Sequence, residues 1–407
     1  MNILYINHYA GSPEMGMEFR PYYLAREWEK LGHKVRIIGA SFSHLRTKNP
    51  KVSCDFEVQE IEGIEYQWIK TDEYAGNGVK RAMTMLQFCY KLWSKAKIVA
   101  EEFNPDVVIT SSTYPLDTYP AQKIVRLAKA KLVHENHDLW PLTLETIGGM
   151  SKFHPFCLLM GLGLSSAIKN SDRIVCVLPF AYEYFKEYGL KDTAKFTHIP
   201  NGVVKEDWEV DLNLPQEHTE LFNKLSGKFI VGYAGGHALS NALDTLIESA
   251  TKIDNDNIAI VLVGKGVEKE HLIQKTKNLS CSNVYFLPPV SKLQVSELLK
   301  YMDVVYVGSE KSSLLQYGAS LNKLYDYMMA AKTIIYGVDS KNKEVLDANC
   351  GVVVEPQNVN DLKNTILKLS TFSEEKLNEI GLNGKRWVLE NCEYKILAEK
   401  FAKLFTK

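Results

Sequence analysis

Short apolar runs alternate with longer amphipathic ones along most of this chain, which predicts strands and helices in turn. In the first half, β-branched and aromatic runs at 3–7, 34–39, 64–70, 106–111, 131–135, 173–178 and 196–199 predict strands. Residues 17–31 place Leu24, Trp28 and Leu31 on one face at helical spacing and end in Gly32-His33, a helix stop. After Pro200-Asn201-Gly202 a polar stretch, 205–228, shows little periodicity and is expected to be a linker. The alternation then restarts, with strands at 229–233, 258–263, 284–287, 303–307 and 333–337 and a short apolar segment at 351–354. Helices are expected at 242–252, 268–278, 292–301 and 322–331, and from 373 to the end. Such alternation implies parallel sheets with helices on both faces. The fold class is therefore α/β, with two doubly wound domains at 1–204 and 205–385 and a terminal helix, 386–407.

Composition narrows the function. The 407 residues suffice for two domains with sizeable cores, and a net charge of −1 gives no global case for nucleic acid. Seven dispersed cysteines form no CxxC pair, so reduced thiols are expected. The strand beginning at residue 3 leaves no room for a signal peptide, and no apolar run reaches the roughly 18–20 residues of a spanning helix. A cytoplasmic protein is expected.

Four segments carry candidate chemistry. Residues 9–17, after the first strand, contain Gly11 and Gly16, which allow backbone to approach a ligand where a doubly wound sheet binds one. The plain alternative is a flexible loop. Val133-His134-Glu135-Asn136-His137-Asp138 crowds polar groups at the end of a strand. His137 can hydrogen-bond a hydroxyl or steady developing charge, while Asp138 either fixes its tautomer or caps the next helix. Gly235-Gly236 and the Gly264-Lys265-Gly266 turn suit a diphosphate, with Lys265 a point cation. In Ser320-Leu321-Asn322-Lys323-Leu324-Tyr325-Asp326, Ser320 is a plausible N-cap and the first helical turn offers amides to phosphate. Lys323 adds charge, and Asp326 offers a carboxylate to ribose hydroxyls. The bland reading is an ordinary amphipathic helix.

These residues together resemble family 4 glycosyltransferases of the kind that build bacterial surface polysaccharides. The likeness runs through Met15-Gly16-Met17, Asp138-Leu139-Trp140-Pro141, Ile199-Pro200-Asn201-Gly202-Val203, Tyr233-Ala234-Gly235-Gly236 and Asn322-Lys323-Leu324-Tyr325-Asp326-Tyr327-Met328. Two of these, Asp-Leu-Trp-Pro and Asn-Lys-Leu-x-Asp-Tyr-Met, look like a subgroup that includes N-acetyl-fucosamine transferases.

The resemblance implies a GT-B fold, two facing Rossmann-like domains with a cleft between them. It implies transfer from a nucleotide-sugar, usually UDP-linked, with retention and with neither metal nor further cofactor. An N-acetylated hexosamine or deoxyhexosamine is the expected sugar. His137 and Lys323 are then expected to be catalytic; Gly16, Gly235, Gly236, Lys265, Ser320, Asn322 and Asp326 to bind donor; and Met15, His134 and Asp138 to bind acceptor. Two departures stand out. The family's paired glutamates fall on Gly318 and Asp326, and its Arg and Lys after the glycine turn are absent from Gly236-His237-Ala238-Leu239-Ser240-Asn241.

A glycan or lipid-diphosphate acceptor follows from the family. Basic-apolar segments at 79–97 and 153–164 suit either an anionic membrane surface, at the inner face of the plasma membrane, or packing within the fold. Asp254-Asn255-Asp256 matches a metal-binding D-x-D pattern of another transferase class, but lies in a turn at the wrong end of its sheet. The rival functions are a non-catalytic nucleotide-sugar-binding protein and a dinucleotide-dependent oxidoreductase. The latter lacks its glycine fingerprint and the acidic residue expected after Gly39.

Overall fold

A computed structural model describes residues 1–76 and 78–406. The chain divides into two compact units. The first comprises Met1–Asn201, Tyr317–Ser320 and Tyr394–Lys407; the second comprises Gly202–Gln316 and Leu321–Glu393.

The first unit holds an eight-stranded sheet. Its strands are β1 (Asn2–Ile6), β2 (Lys34–Ala40), β3 (Glu57–Ile61), β4 (Ile64–Ile69), β5 (Val107–Thr110), β6 (Lys131–Asn136), β7 (Arg173–Cys176) and β8 (Phe196–His198). Their order is β3-β4-β2-β1-β5-β6-β7-β8, parallel except for the β3–β4 hairpin. Both neighbours of β1 align in register, Ile3 with Val35 and with Val107. Central strands such as β5 are buried at every residue because helices cover both faces. Those helices are α1 (Phe19–Lys30), α2 (Val79–Phe103), α3 (Thr118–Ala128), α4 (Leu142–Thr146), α5 (Pro155–Asn170) and α6 (Ala181–Glu187). On α2, Phe88, Leu92, Ala96, Val99 and Phe103 recur every three or four residues and pack on Leu4, Ile6, Ile38 and Val108 of the sheet.

The second unit opens with α7 (Gln216–Lys224), inside the stretch expected to be a linker. Its polar face hid it: only His218 and Phe222 are buried, and Phe222 stacks on Tyr301 at 4.7 Å. The six strands are β9 (Phe229–Ala234), β10 (Ile258–Val263), β11 (Val284–Leu287), β12 (Val304–Gly308), β13 (Thr333–Gly337) and β14 (Gly351–Val353). They are all parallel, in the order β11-β10-β9-β12-β13-β14. The helices are α8 (Leu243–Thr251), α9 (Lys269–Asn278), α10 (Val295–Lys300), α11 (Asn322–Met329), α12 (Glu344–Asp347), α13 (Val359–Leu369) and α14 (Glu374–Asn391). The expected break at 386 falls inside α14, which runs on unbroken. The chain then returns to the first unit as α15 (Tyr394–Thr406), where the Trp28 ring of α1 meets Phe401 at 5.1 Å and Phe405 at 5.4 Å.

In each sheet the strand order reverses once beside the first strand, between β1 and β5 and between β9 and β12. Ligands of doubly wound folds sit beyond the carboxyl ends of strands at such points.

Candidate functional site

In the second unit, β9 runs out into Gly235-Gly236. Gly264, at the end of β10, has φ +154, and a Cβ there would meet the Gly235 carbonyl oxygen at 1.9 Å. A Cβ on Gly266 would meet the His237 carbonyl oxygen at 2.1 Å, so the two turns lie backbone to backbone. Gly236 differs: nothing comes nearer to its added Cβ than the Lys265 carbonyl oxygen at 4.0 Å. That space is open to a ligand.

Helix α11 begins beside this turn. Its N-cap residue is Leu321, with no side-chain cap, so the first backbone N–H groups keep their capacity for an anion. The expected cap, Ser320, is used elsewhere: its hydroxyl accepts the Asn201 amide at 2.9 Å, within the first unit. Lys323 donates to the Tyr233 hydroxyl at 3.0 Å and to Asn241 Oδ1, and lies 4.8 Å over the Tyr233 ring. Tyr233 and Asn241 in turn donate to the Gly236 carbonyl at 2.8 and 2.9 Å. One turn along, the Tyr327 hydroxyl accepts the Ala234 N–H at 2.8 Å and donates to its carbonyl at 3.2 Å. Glycine turn and helix start are thus one assembly.

No carboxylate pairs with Lys323 among the described residues, and burial lowers its pKa to about 8. His237 adds no charge. It is fully buried, and burial first, then Lys269 and Lys323, push it down to about 4. Lys265 stands exposed on the neighbouring turn, and Asn322 is exposed at the start of α11. Asp326 is less free than expected, because Lys292 holds its Oδ1. Asp254-Asn255-Asp256 lies between α8 and β10, at the amino end of the sheet, where Asn255 accepts the Asn257 amide at 3.0 Å. Among the described residues no three His, Cys, Asp or Glu side chains converge as metal ligands would.

In the first unit the organising residue is Glu135 on β6, fully buried. A carboxylate there must be matched by donors, and it is. Arg20 on α1 gives Nε to Oε1 at 2.9 Å while its other nitrogens bond the Pro200 and Ile199 carbonyls at 2.5 and 3.1 Å. Oε2 accepts the Tyr5 hydroxyl and, at 2.7 Å, the Ser111 hydroxyl. His137 brings Nε2 to 2.7 Å from Ser111 Oγ and 3.3 Å from Glu135 Oε2. Burial alone would raise the Glu135 carboxyl, but Arg20, then His137 and the hydrogen bonds, hold it well below the usual carboxylate range.

Three residues expected to contact acceptor are held within the fold. His134 is fully enclosed, its Nδ1 on Thr110 Oγ1 at 3.0 Å, because strand alternation turns it to the sheet face opposite Glu135. Asp138 accepts Trp140 Nε1 at 3.1 Å and the Thr143 hydroxyl, which makes it a clamp on the start of α4 rather than a partner of His137. The Met15 side chain is buried and its carbonyl accepts Thr47 N at 2.9 Å. Gly16, expected to touch donor, serves that same packing: its φ is +88, and a Cβ would strike Thr47 Oγ1 at 2.3 Å. Glu135, Arg20, Ser111 and Tyr5 were missed. The signal for them was a charged residue inside an otherwise apolar strand, which demands a buried partner.

The family model "Glycosyltransferase Family 4" matches residues 15–207, and "Glycosyl transferases group 1" matches residues 216–387. The chain belongs to the glycosyltransferases. No curated protein is similar enough in sequence to match it. Among solved structures, the glycosyltransferase resembles sucrose-phosphate synthase from Thermosynechococcus elongatus, at 15% identity and TM-score 0.72, over 99% of this chain and 98% of that one. It also resembles Anabaena HepE in complex with UDP and glucose, at 14% identity and TM-score 0.67, over 100% and 99%. A third is WaaG, a glycosyltransferase involved in lipopolysaccharide biosynthesis, at 14% and 0.66, with both chains covered in full. At such identities the likeness shows the fold, and that fold is GT-B.

Proposed function

We propose that this glycosyltransferase moves an N-acetylated hexosamine or deoxyhexosamine from a UDP-linked donor to a glycan or lipid-diphosphate-linked acceptor in surface polysaccharide assembly. The carrying observation is Lys323, a cation with no carboxylate partner among the described residues, at the uncapped start of α11 beside the open space at Gly236. A diphosphate supplies the missing charge: its oxygens take the N–H groups of Asn322 and Lys323 and the Lys323 ammonium, with Lys265 across the turn. As bonding to the sugar breaks, negative charge grows on the phosphate these groups hold, so the stabilisation is largest where the barrier lies. A leaving-phosphate oxygen takes the acceptor's proton as the hydroxyl attacks from the same face, which yields retention without a metal. His137 contacts the transferred sugar.

The membrane-linked acceptor has its own support. The inner face of α2 packs on the sheet, but Val79, Met83, Leu86, Tyr90 and Trp93 form an outward apolar stripe, with Val79 79% and Tyr90 73% exposed. Lys80, Lys95 and Lys97 are exposed along the same helix, and Phe153, Leu158 and Leu162 are exposed on or beside α5. No described helix is long and apolar enough to cross a membrane. An apolar stripe edged by lysines fits the surface of an anionic bilayer. Sedimentation with phosphatidylglycerol vesicles, lost in a Tyr90→Ser, Trp93→Ser double variant, is the expected result; no sedimentation of the wild type removes the membrane arm.

The main test is thermal stabilisation by a panel of nucleotide-sugars, followed by UDP release with a lipid-linked acceptor. Stabilisation by one UDP-sugar with acceptor-dependent release supports transfer. Stabilisation without release favours a sugar-nucleotide sensor. A flat response to every UDP-sugar sinks the donor assignment.

A further inference from the structure

The buried cluster in the first unit carries more than a structural ion pair. We infer that Glu135 is a positioning residue: with Ser111 it fixes His137 as the Nε2–H tautomer, leaving Nδ1 as the nitrogen that meets substrate. The inference rests on the transferase reading for its function but not for its geometry.

The tautomer follows from counting protons. Arg20 holds Glu135 as a carboxylate, which only accepts hydrogen bonds. Ser111 has a single hydroxyl proton and donates it to Glu135 Oε2 at 2.7 Å. Tyr5 spends its proton on the same oxygen. The remaining short contact of Ser111 Oγ, to His137 Nε2 at 2.7 Å, must therefore be accepted by the serine, so Nε2 carries the hydrogen. The opposite tautomer would set the Nε2 lone pair 3.3 Å from a carboxylate oxygen and 2.7 Å from the Ser111 oxygen, unless Ser111 gave up its bond to Glu135. Burial raises the Glu135 carboxyl, but Arg20, His137 and the hydrogen bonds together more than reverse it, so it remains an acceptor across the working pH range.

The arrangement is rigid. Glu135 is fully buried and Arg20 is tied to two further carbonyls, so neither can follow the imidazole if it turns. Asn7 adds a bond to the Ser111 carbonyl at 2.8 Å, which fixes the serine's backbone. His137 itself is partly exposed, and no bond to its Nδ1 is made by a described residue. That nitrogen can accept a substrate hydroxyl proton, or donate one when protonated. In serine hydrolases the same carboxylate–imidazole logic sets the tautomer of a reacting histidine.

The test begins with the wild-type protein labelled with 15N-histidine. Long-range proton–nitrogen correlation at pH 8, with the His137 signal assigned by its loss in His137→Ala, should show a protonated Nε2 and an unprotonated Nδ1. The reverse pattern, or averaged nitrogens, overturns the inference. Glu135→Gln should average the two nitrogens and lower kcat on the order of 100-fold while KM for the UDP-sugar changes less than twofold. Unchanged kcat in folded Glu135→Gln overturns the positioning role. Should that variant fail to fold, Ser111→Ala carries the same comparison, since it removes the acceptor of the Nε2 hydrogen without emptying the Arg20 pair. If the wild type turns over no UDP-sugar, the transferase reading fails on its own, while the nitrogen spectrum still decides the tautomer.

Discussion

Lys323 concentrates the electrostatics of the proposed donor site in one side chain. Lys323→Ala should lower turnover about 100-fold or more while the protein stays folded, as steady-state kinetics and circular dichroism will check. Its pKa of about 8, below the ordinary 10.5, gives two further outcomes of known sign. The free protein loses this proton as pH rises through about 8, so affinity for UDP should weaken there. Binding a diphosphate restores the proton, and calorimetry near pH 8.5 in buffers of different ionisation enthalpy should detect proton uptake. Since the unfolded chain holds the proton more tightly than the native one, stability without donor should rise between about pH 8 and 10.5 from this residue. Lys323 and Gly236 stood out as candidates in the sequence because each carries its chemistry in its own type. Glu135 was not, because its meaning lies in Arg20, 115 positions away along the chain. Ser320 misled for a similar reason: its hydroxyl bonds Asn201, 119 positions away, not the helix it precedes.

At the level of elements, the paired glycine turns separate glycines packed against backbone from one that borders open space. Gly264→Ala would force a Cβ against the Gly235 carbonyl in a strained backbone conformation and should cost about 1–3 kcal/mol. Gly236→Ala meets open space and should leave the melting temperature nearly unchanged while weakening UDP binding. Equal losses of stability in both variants would show that Gly236 is a folding residue too. The central strands and long helices were readable because burial on both faces imposes an unmistakable run of apolar residues. Among the elements that escaped, two did so for plain physical reasons. Strand β3 is an edge strand in which Glu57, Val58, Gln59, Glu60 and Ile61 are nowhere fully buried, and α7 anchors itself through only two side chains.

Across the whole molecule, chain order and unit membership part company at the end. Helix α15 completes the first unit, although almost two hundred residues of the second intervene. Phe401→Ala, which opens space beside Trp28, should destabilise that unit by about 3–5 kcal/mol, readable in the chemical denaturation midpoint. Nothing in the terminal segment's own pattern marks where it changes allegiance; that is decided by what Trp28 needs as a neighbour, and by its indole N–H, which bonds the Ala398 carbonyl at 3.1 Å. Tyr327 has a more distant effect. With one hydroxyl it grips both backbone groups of Ala234, so the end of β9 is tied to α11 without the help of any ligand. If the proposed nucleotide binds here, little ordering entropy is left to lose on association, so capture should be fast, and Tyr327→Phe should lower the association rate, as stopped-flow mixing will check.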